Sequence, residues 1–135
     1  MTFSLFSPSF DPIVNLTIRF LDQLKVKISD TTINDALQNH PDYPSLLSVS
    51  DVLHQWNVAN LVVQVDHTKL ADLPTPFIAH FKSSIGDQLR LITSVDENSV
   101  KYSNTKNKWE IVTEDNFQKE WSGIVLLAKP TFSPE

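Results

Sequence analysis

The sequence predicts an α+β fold in which an N-terminal helical lobe packs on an antiparallel sheet. Three observations point to it. Up to Trp56, apolar residues recur at helical spacing. From Asn60 onward, short β-branched and aromatic runs alternate with turn residues, and one pair of runs around Asp96, Glu97 and Asn98 reads as a hairpin. Helices followed by strands, in that order along the chain, are the pattern of a helical layer on an antiparallel sheet.

The elements follow in order. Asp11 is placed to cap a first helix and Pro12 suits its first turn. Ile13, Leu16, Phe20 and Leu24 then form its apolar stripe. Val26 and Ile28 bracket an extended exit. Ser29 or Asp30 caps a second helix over 31–39, with Ile33 and Leu37 inward. Pro41 and Pro44 stand three apart and cannot share a helix, so 40–44 is a break. Ser45 opens a third helix with Leu46, Val49, Leu53 and Trp56 on its inner face. Residues 60–65 read as a strand buried on both faces. A short helix over 68–73 stops before Pro74, and a strand over 76–82 leads to a turn at 84–87. Strands follow at 88–95, 99–102 and 109–112, with a turn at 104–108 between the last two. Thr113, Glu114 and Asp115 start a helix running to about Trp121, and 123–128 is the last strand.

With 135 residues and 41% apolar content, the chain suits one compact domain, and no linker divides its middle. Residues 1–10 read as an arm, 11–129 as the domain and 130–135 as a connector. A net charge of −5, with only Arg19 and Arg90 as arginines and the lysines scattered, argues against a nucleic-acid partner. Gly86 and Gly123 are the only glycines, too few for a phosphate-cradling loop. Cysteine is absent, which excludes disulfides, thiolate–metal sites and a thiol nucleophile. No secretory signal is evident, and no stretch approaches the ~20 apolar residues of a membrane helix.

Residues 26–51 (VKISDTTINDALQNHPDYPSLLSVSD), 75–81 (TPFIAHF) and 115–127 (DNFQKEWSGIVLL) are specific in combination. Together they resemble the peptidase domain of bacteriocin-processing, double-glycine-leader ABC exporters: cysteine peptidase family thirty-nine, with a compact papain-like fold. The HPDYPSLLS wording is similar to a divergent, Bacteroidetes-like branch. The resemblance covers about residues 11–129. It implies a catalytic cysteine at the start of the first helix, a histidine opening the strand after the glycine turn, and an aspartate after the next strand. A thiolate attacks, imidazole activates it and protonates the leaving amine, and the third group orients the ring. At those positions this chain carries Pro12, Gln88 and Asn104, and Thr105 replaces the usual proline. The glutamine that helps hold the oxyanion, upstream of the first helix, is missing as well. Neutral amides cannot shuttle protons near neutral pH. The expectation is a domain without catalysis and without cofactor. It would bind a leader or cargo peptide for a membrane-associated bacterial export system, on the cytoplasmic side of the inner membrane. The alternative is a structural adaptor contacting its own membrane part, exporter or quinone-linked oxidoreductase, or a partner protein; the apolar arm Phe3, Leu5, Phe6 and Phe10 would serve that role.

The histidines suggest no replacement chemistry. His40 is expected to fix its proline loop, His54 to favour a helix C-terminus, His67 to lie at the surface and His80 to be hydrogen-bonded on a strand. None has the spacing of a helical metal motif, and no serine sits in a Gly-x-Ser-x-Gly elbow. Candidate peptide-binding residues are His40, Asp42 and Tyr43 in the proline-stiffened loop, with Tyr102 and Trp109 near the second hairpin. For these aromatics, as for Trp56 and Trp121, packing in the core is the commoner role.

Overall fold

A computed structural model of the chain describes residues 10–83, 86–104 and 108–130. Phe10 of the predicted arm is described; the rest of it, Thr105, and the connector beyond Pro130 lie outside these residues.

Helix α1 (Pro12–Gln23) starts at Pro12, whose fixed φ suits the first turn. Asp11 is its N-cap by backbone position, but its side chain makes no capping bond. Its carboxylate instead accepts from Gln38 Nε2 at 2.7 Å and Tyr43 Oη at 3.3 Å, so the predicted cap is a tie between segments. Helix α2 (Asp30–Gln38) is capped by Ser29, which accepts from Thr32 N. Helix α3 (Leu46–Gln55) carries a reciprocal capping box between Ser45 and Ser48. Lys25 and Asn57 take positive φ just past the ends of α1 and α3, the left-handed exit that terminates a helix.

Among the described residues the sheet contains six strands: β1 (Val58–Gln64), β2 (Phe77–Ser83), β3 (Gly86–Val95), β4 (Ser99–Ser103), β5 (Trp109–Thr113) and β6 (Trp121–Pro130). Every pairing is antiparallel, in the order β1-β6-β2-β3-β4-β5. A 3₁₀ helix, His67–Asp72, links β1 to β2, and α4 (Glu114–Glu120) links β5 to β6. Two expectations change. β3 begins at Gly86, so its pairing with β2 reaches into the expected turn. β1 is an edge strand, not one buried on both faces: Ala59, Leu61 and Gln64 are exposed. A run of β-branched residues does not tell a central strand from an edge strand backed by a helix.

Strand alternation divides the core in two. On one face Ile78, Leu89, Leu91 and Leu126 pack under α1–α3 with Leu16, Phe20, Leu37 and Leu53. On the other, Phe77, Phe81, Ile92 and Tyr102 pack with Leu70, with Phe117 in the middle of α4 and with Trp121 at its C-terminal end. Burial of each such large side chain stabilises the fold by roughly 1.5–3 kcal/mol. Gly123 has φ +89, and a Cβ there would stand 3.0 Å from Val65 O, whose own N–H bonds Gly123 O at 2.8 Å; only glycine lets the two strands meet this closely.

Candidate functional site

The start of α1 lies beside β3, and two adjoining cavities open there. The first, about 350 Å³, is polar: Pro12 and Ile13 form one wall, Gln88, Arg90, Asn104 and Glu110 much of the rest. Pro12, Gln88 and Asn104, far apart in sequence, therefore meet in one pocket. The second, about 490 Å³, is an apolar groove between α3 and the sheet, lined by Leu46, Leu47, Val62, Leu89 and Ile124. Ile13, Asp87 and Leu89 border both, so the cavities form one cleft with a polar end and an apolar end.

The polar end is internally bonded. Glu110 accepts from Tyr102 Oη at 3.0 Å through one oxygen and from Asn104 Nδ2 at 2.8 Å through the other. Arg19 Nη2 donates to Asn104 O at 2.8 Å and so ties α1 to the loop after β4. Burial lowers the Arg19 pKa from its ordinary high value, which still leaves a cation. The Arg90 guanidinium lies over the rings of Phe81 and Tyr102, 4.1 and 4.8 Å from their centroids. It donates at long range to Gln88 Oε1 and Glu120 Oε1, at 3.4 and 3.5 Å. Burial, and the bond to Glu110, raise the Tyr102 pKa, while Arg90 opposes the rise; the hydroxyl stays protonated as a donor.

Strand alternation separates neighbouring residues here. Leu89 and Leu91 face the helices, whereas Gln88 shares the opposite side with Arg90 and Ile92. The polar side chain that β3 turns toward the groove is therefore Asp87. Its carboxylate is 3.1 Å from His80 Nε2, and His80 Nδ1 is 2.7 Å from Ser122 Oγ. Both imidazole nitrogens are engaged. Ser122 Oγ is turned inward as well, donating to His80 O and accepting from Ile124 N. The Asp–His–Ser chain joins β2, β3 and β6, and the Ser122 hydroxyl is committed within it.

Of the predicted peptide-binding residues, Tyr102 lines the polar pocket. His40 accepts from Asp42 N through Nδ1 at 3.0 Å and pairs with Asp51 at 2.9 Å, which ties the proline loop to α3. Asp42 is exposed, and Tyr43 is half-buried against the helical cluster with its hydroxyl on Asp11. Burial, then the Asp11 charge and hydrogen bond, push the Tyr43 pKa up to about 12. Trp109 stands on β5, outside both cavities and 49% exposed. Of the other tryptophans, Trp121 is buried and Trp56 partly so. His67 is exposed, its Nε2 3.1 Å from Trp121 O. The groove residues Leu46, Leu47, Val62, Leu89 and Ile124 were not singled out for binding from the sequence. One signal was available: Leu47 is apolar but lies off the inward stripe of α3, and it is 59% exposed.

Comparisons with known proteins fit this geometry. Residues 18–133 match the model of the Peptidase C39 family. Among solved structures, the double glycine motif protease from an AMS/PCAT transporter, in complex with the leader peptide, superposes with a TM-score of 0.77 at 14% identity, covering 92% of this chain and 87% of that one. The peptidase domain of Streptococcus ComA, a bifunctional ABC transporter of a quorum-sensing pathway, gives 0.72 at 17% identity, with 92% and 96% covered. The N-terminal peptidase C39-like domain of a toxin secretion ATP-binding protein from Vibrio parahaemolyticus gives 0.71 at 15% identity, with 92% and 100% covered. No curated protein matches the chain. At these identities the superpositions establish the papain-like fold, and the family match, spanning most of the sequence, establishes that this chain belongs to the Peptidase C39 family.

Proposed function

We propose that this domain is a non-catalytic member of its family that binds a leader or cargo peptide for a membrane-associated bacterial export system, on the cytoplasmic side of the inner membrane. The observation that carries the reading is the cleft itself. Its apolar end is open and shaped for aliphatic side chains, while its polar end has no thiol and holds Pro12, Gln88 and Asn104. Thiolate attack is impossible in a chain without cysteine. Binding needs none of the missing groups: apolar burial in a preformed groove supplies affinity, and nearby polar groups fix orientation. A structural relative is described in complex with a leader peptide, which supports the same use of the groove here. Among the described residues no helix is long and apolar enough to cross a membrane, so attachment to a membrane part would come through a neighbouring chain or segment.

The test is calorimetric titration with synthetic double-glycine-type leader peptides, followed by mass spectrometry of the peptide. Saturable binding with intact peptide is the expected result. Cleavage would overturn the non-catalytic half of the reading. Absence of binding for every leader from the same genomic neighbourhood would overturn the other half.

A further inference from the structure

We propose that β5 is a self-pairing edge through which two copies of this chain join their sheets. β5 ends the sheet and, among the described residues, has a strand neighbour on one side only. Trp109 and Ile111 project from the same face of it, 49% and 69% exposed. They belong to the face that α1–α3 cover elsewhere: Trp109 pairs with Ser103, which pairs with Leu91 under the helices. The helical layer stops short of β5, so the strand shows both an unpaired backbone and an apolar pair. Edge strands are normally protected by proline, inward charge or a bulge. β5 (WEIVT) has no proline, no charge on this face and a regular register with β4.

The occupant is argued from the register that two β5 strands would adopt. In an antiparallel pair centred on Ile111, that residue faces its own copy. Trp109 then faces Thr113, and Glu110 faces Val112. Lys108, just before the strand, comes level with Glu114 of the other copy, at the start of α4. No like charges are directly opposed, and two Lys–Glu pairs form. Trp109 and Ile111 of both copies make one continuous apolar strip. The two Glu110 carboxylates are diagonal neighbours, but each is drawn back over its own sheet by Tyr102 and Asn104. The two Lys101 backbones stand three strand spacings apart, about 14 Å, and each ammonium lies over its own Trp109 ring, 5.5 Å from the centroid. The pairing follows a two-fold axis, so it closes at two copies instead of growing into a fibre. Five paired residues per chain bury less than a standard interface, so the dimer is a weak one that forms as concentration rises.

The chain has no cysteine, so single thiols can be placed cleanly. Ile111→Cys, treated with a short bis-maleimide, is compared with Leu47→Cys and Leu61→Cys, which are 59% and 57% exposed at distant sites. We expect Ile111→Cys to cross-link at least about tenfold faster, because the register places its thiol opposite its own copy. Sedimentation equilibrium of the unaltered chain should show mass rising above one chain with concentration. A Trp109→Arg, Ile111→Lys variant should stay at one chain with an unchanged unfolding midpoint. Equal cross-linking rates at the three positions, or a mass fixed at one chain throughout, would overturn the proposal. Either result leaves peptide binding in the distant groove untouched, so the two readings fail separately.

Discussion

The two ends of the cleft have been treated differently. At the polar end the protein answers most of its own polar groups: Tyr102 and Asn104 meet Glu110, Arg90 lies on two rings and reaches Gln88 and Glu120, and Arg19 holds the Asn104 carbonyl. At the apolar end Leu47 stays exposed beside Leu46, Val62 and Leu89. A reacting pocket needs groups poised for a substrate, and those bound to one another are spent on structure. An apolar groove is the opposite case, since its surface gains most when a ligand removes it from water. On the proposed reading, the contrast sets side chains committed to structure at one end of the cleft against an open recognition surface at the other.

The largest effect should come from removing the ring beneath Arg90. Phe81 is fully buried, touches Phe117 edge-on at 5.0 Å centroid distance, and carries the guanidinium. Phe81→Ala should cost about 3–5 kcal/mol in urea unfolding, the usual loss for a buried phenylalanine. A loss below about 1 kcal/mol would mean that the polar end is not built on this core. The groove should respond in the other way. Leu47→Arg should weaken leader binding by about tenfold or more, since one well-buried leucine is worth at least 1.4 kcal/mol in a ligand contact. Its unfolding midpoint should barely move, because the residue is exposed without ligand. Equal damage to stability and binding would erase the distinction between the two ends.

How much of this was legible in the sequence follows from how local each cause is. The three N-terminal helices were readable because Ser29, Ser45, Pro12 and the apolar stripes act within a turn or two. The Asp11 cap misled, since its carboxylate is claimed by Gln38 and Tyr43, 27 and 32 residues away. Edge status of β1 depends on which strands pair, and β6, its one partner among the described residues, is also the last strand described. Pro12, Gln88 and Asn104 could be brought together only by the family resemblance. The groove stayed hidden because Leu46, Val62, Leu89 and Ile124 each read as ordinary core until the gap between α3 and the sheet is seen.

Tyr43 offers a smaller and pH-dependent test of the tie beside the cleft. Its hydroxyl donates to Asp11, and its pKa is raised from 10.0 to about 12. The folded protein holds that proton more tightly than the unfolded chain. The associated stability is therefore fully present below pH 10 and is lost as pH climbs through about 12. Tyr43→Phe should cost about 0.5–1.5 kcal/mol at neutral pH, the usual net worth of one hydrogen bond. It should also flatten the fall in unfolding midpoint across that alkaline window. An unchanged alkaline slope would show that Tyr43 and Asp11 are not coupled in solution.

The smallest expected effect is the most telling for chemistry. Pro12→Cys places a thiol at the start of α1, where the sequence resemblance puts the nucleophile, and the rate of leader cleavage by mass spectrometry should remain at the background of the unaltered chain. A thiol alone is mostly protonated near neutral pH and needs a base to become a strong nucleophile. The candidates lining the cleft are all committed. Gln88 and Asn104 are amides, Glu110 accepts from Tyr102 and Asn104, Asp87 is paired with His80, and both His80 nitrogens are engaged by Asp87 and Ser122. Measurable cleavage by Pro12→Cys would mean that His80 is released from that chain of bonds when peptide binds. The cleft would then lack a nucleophile without lacking a base.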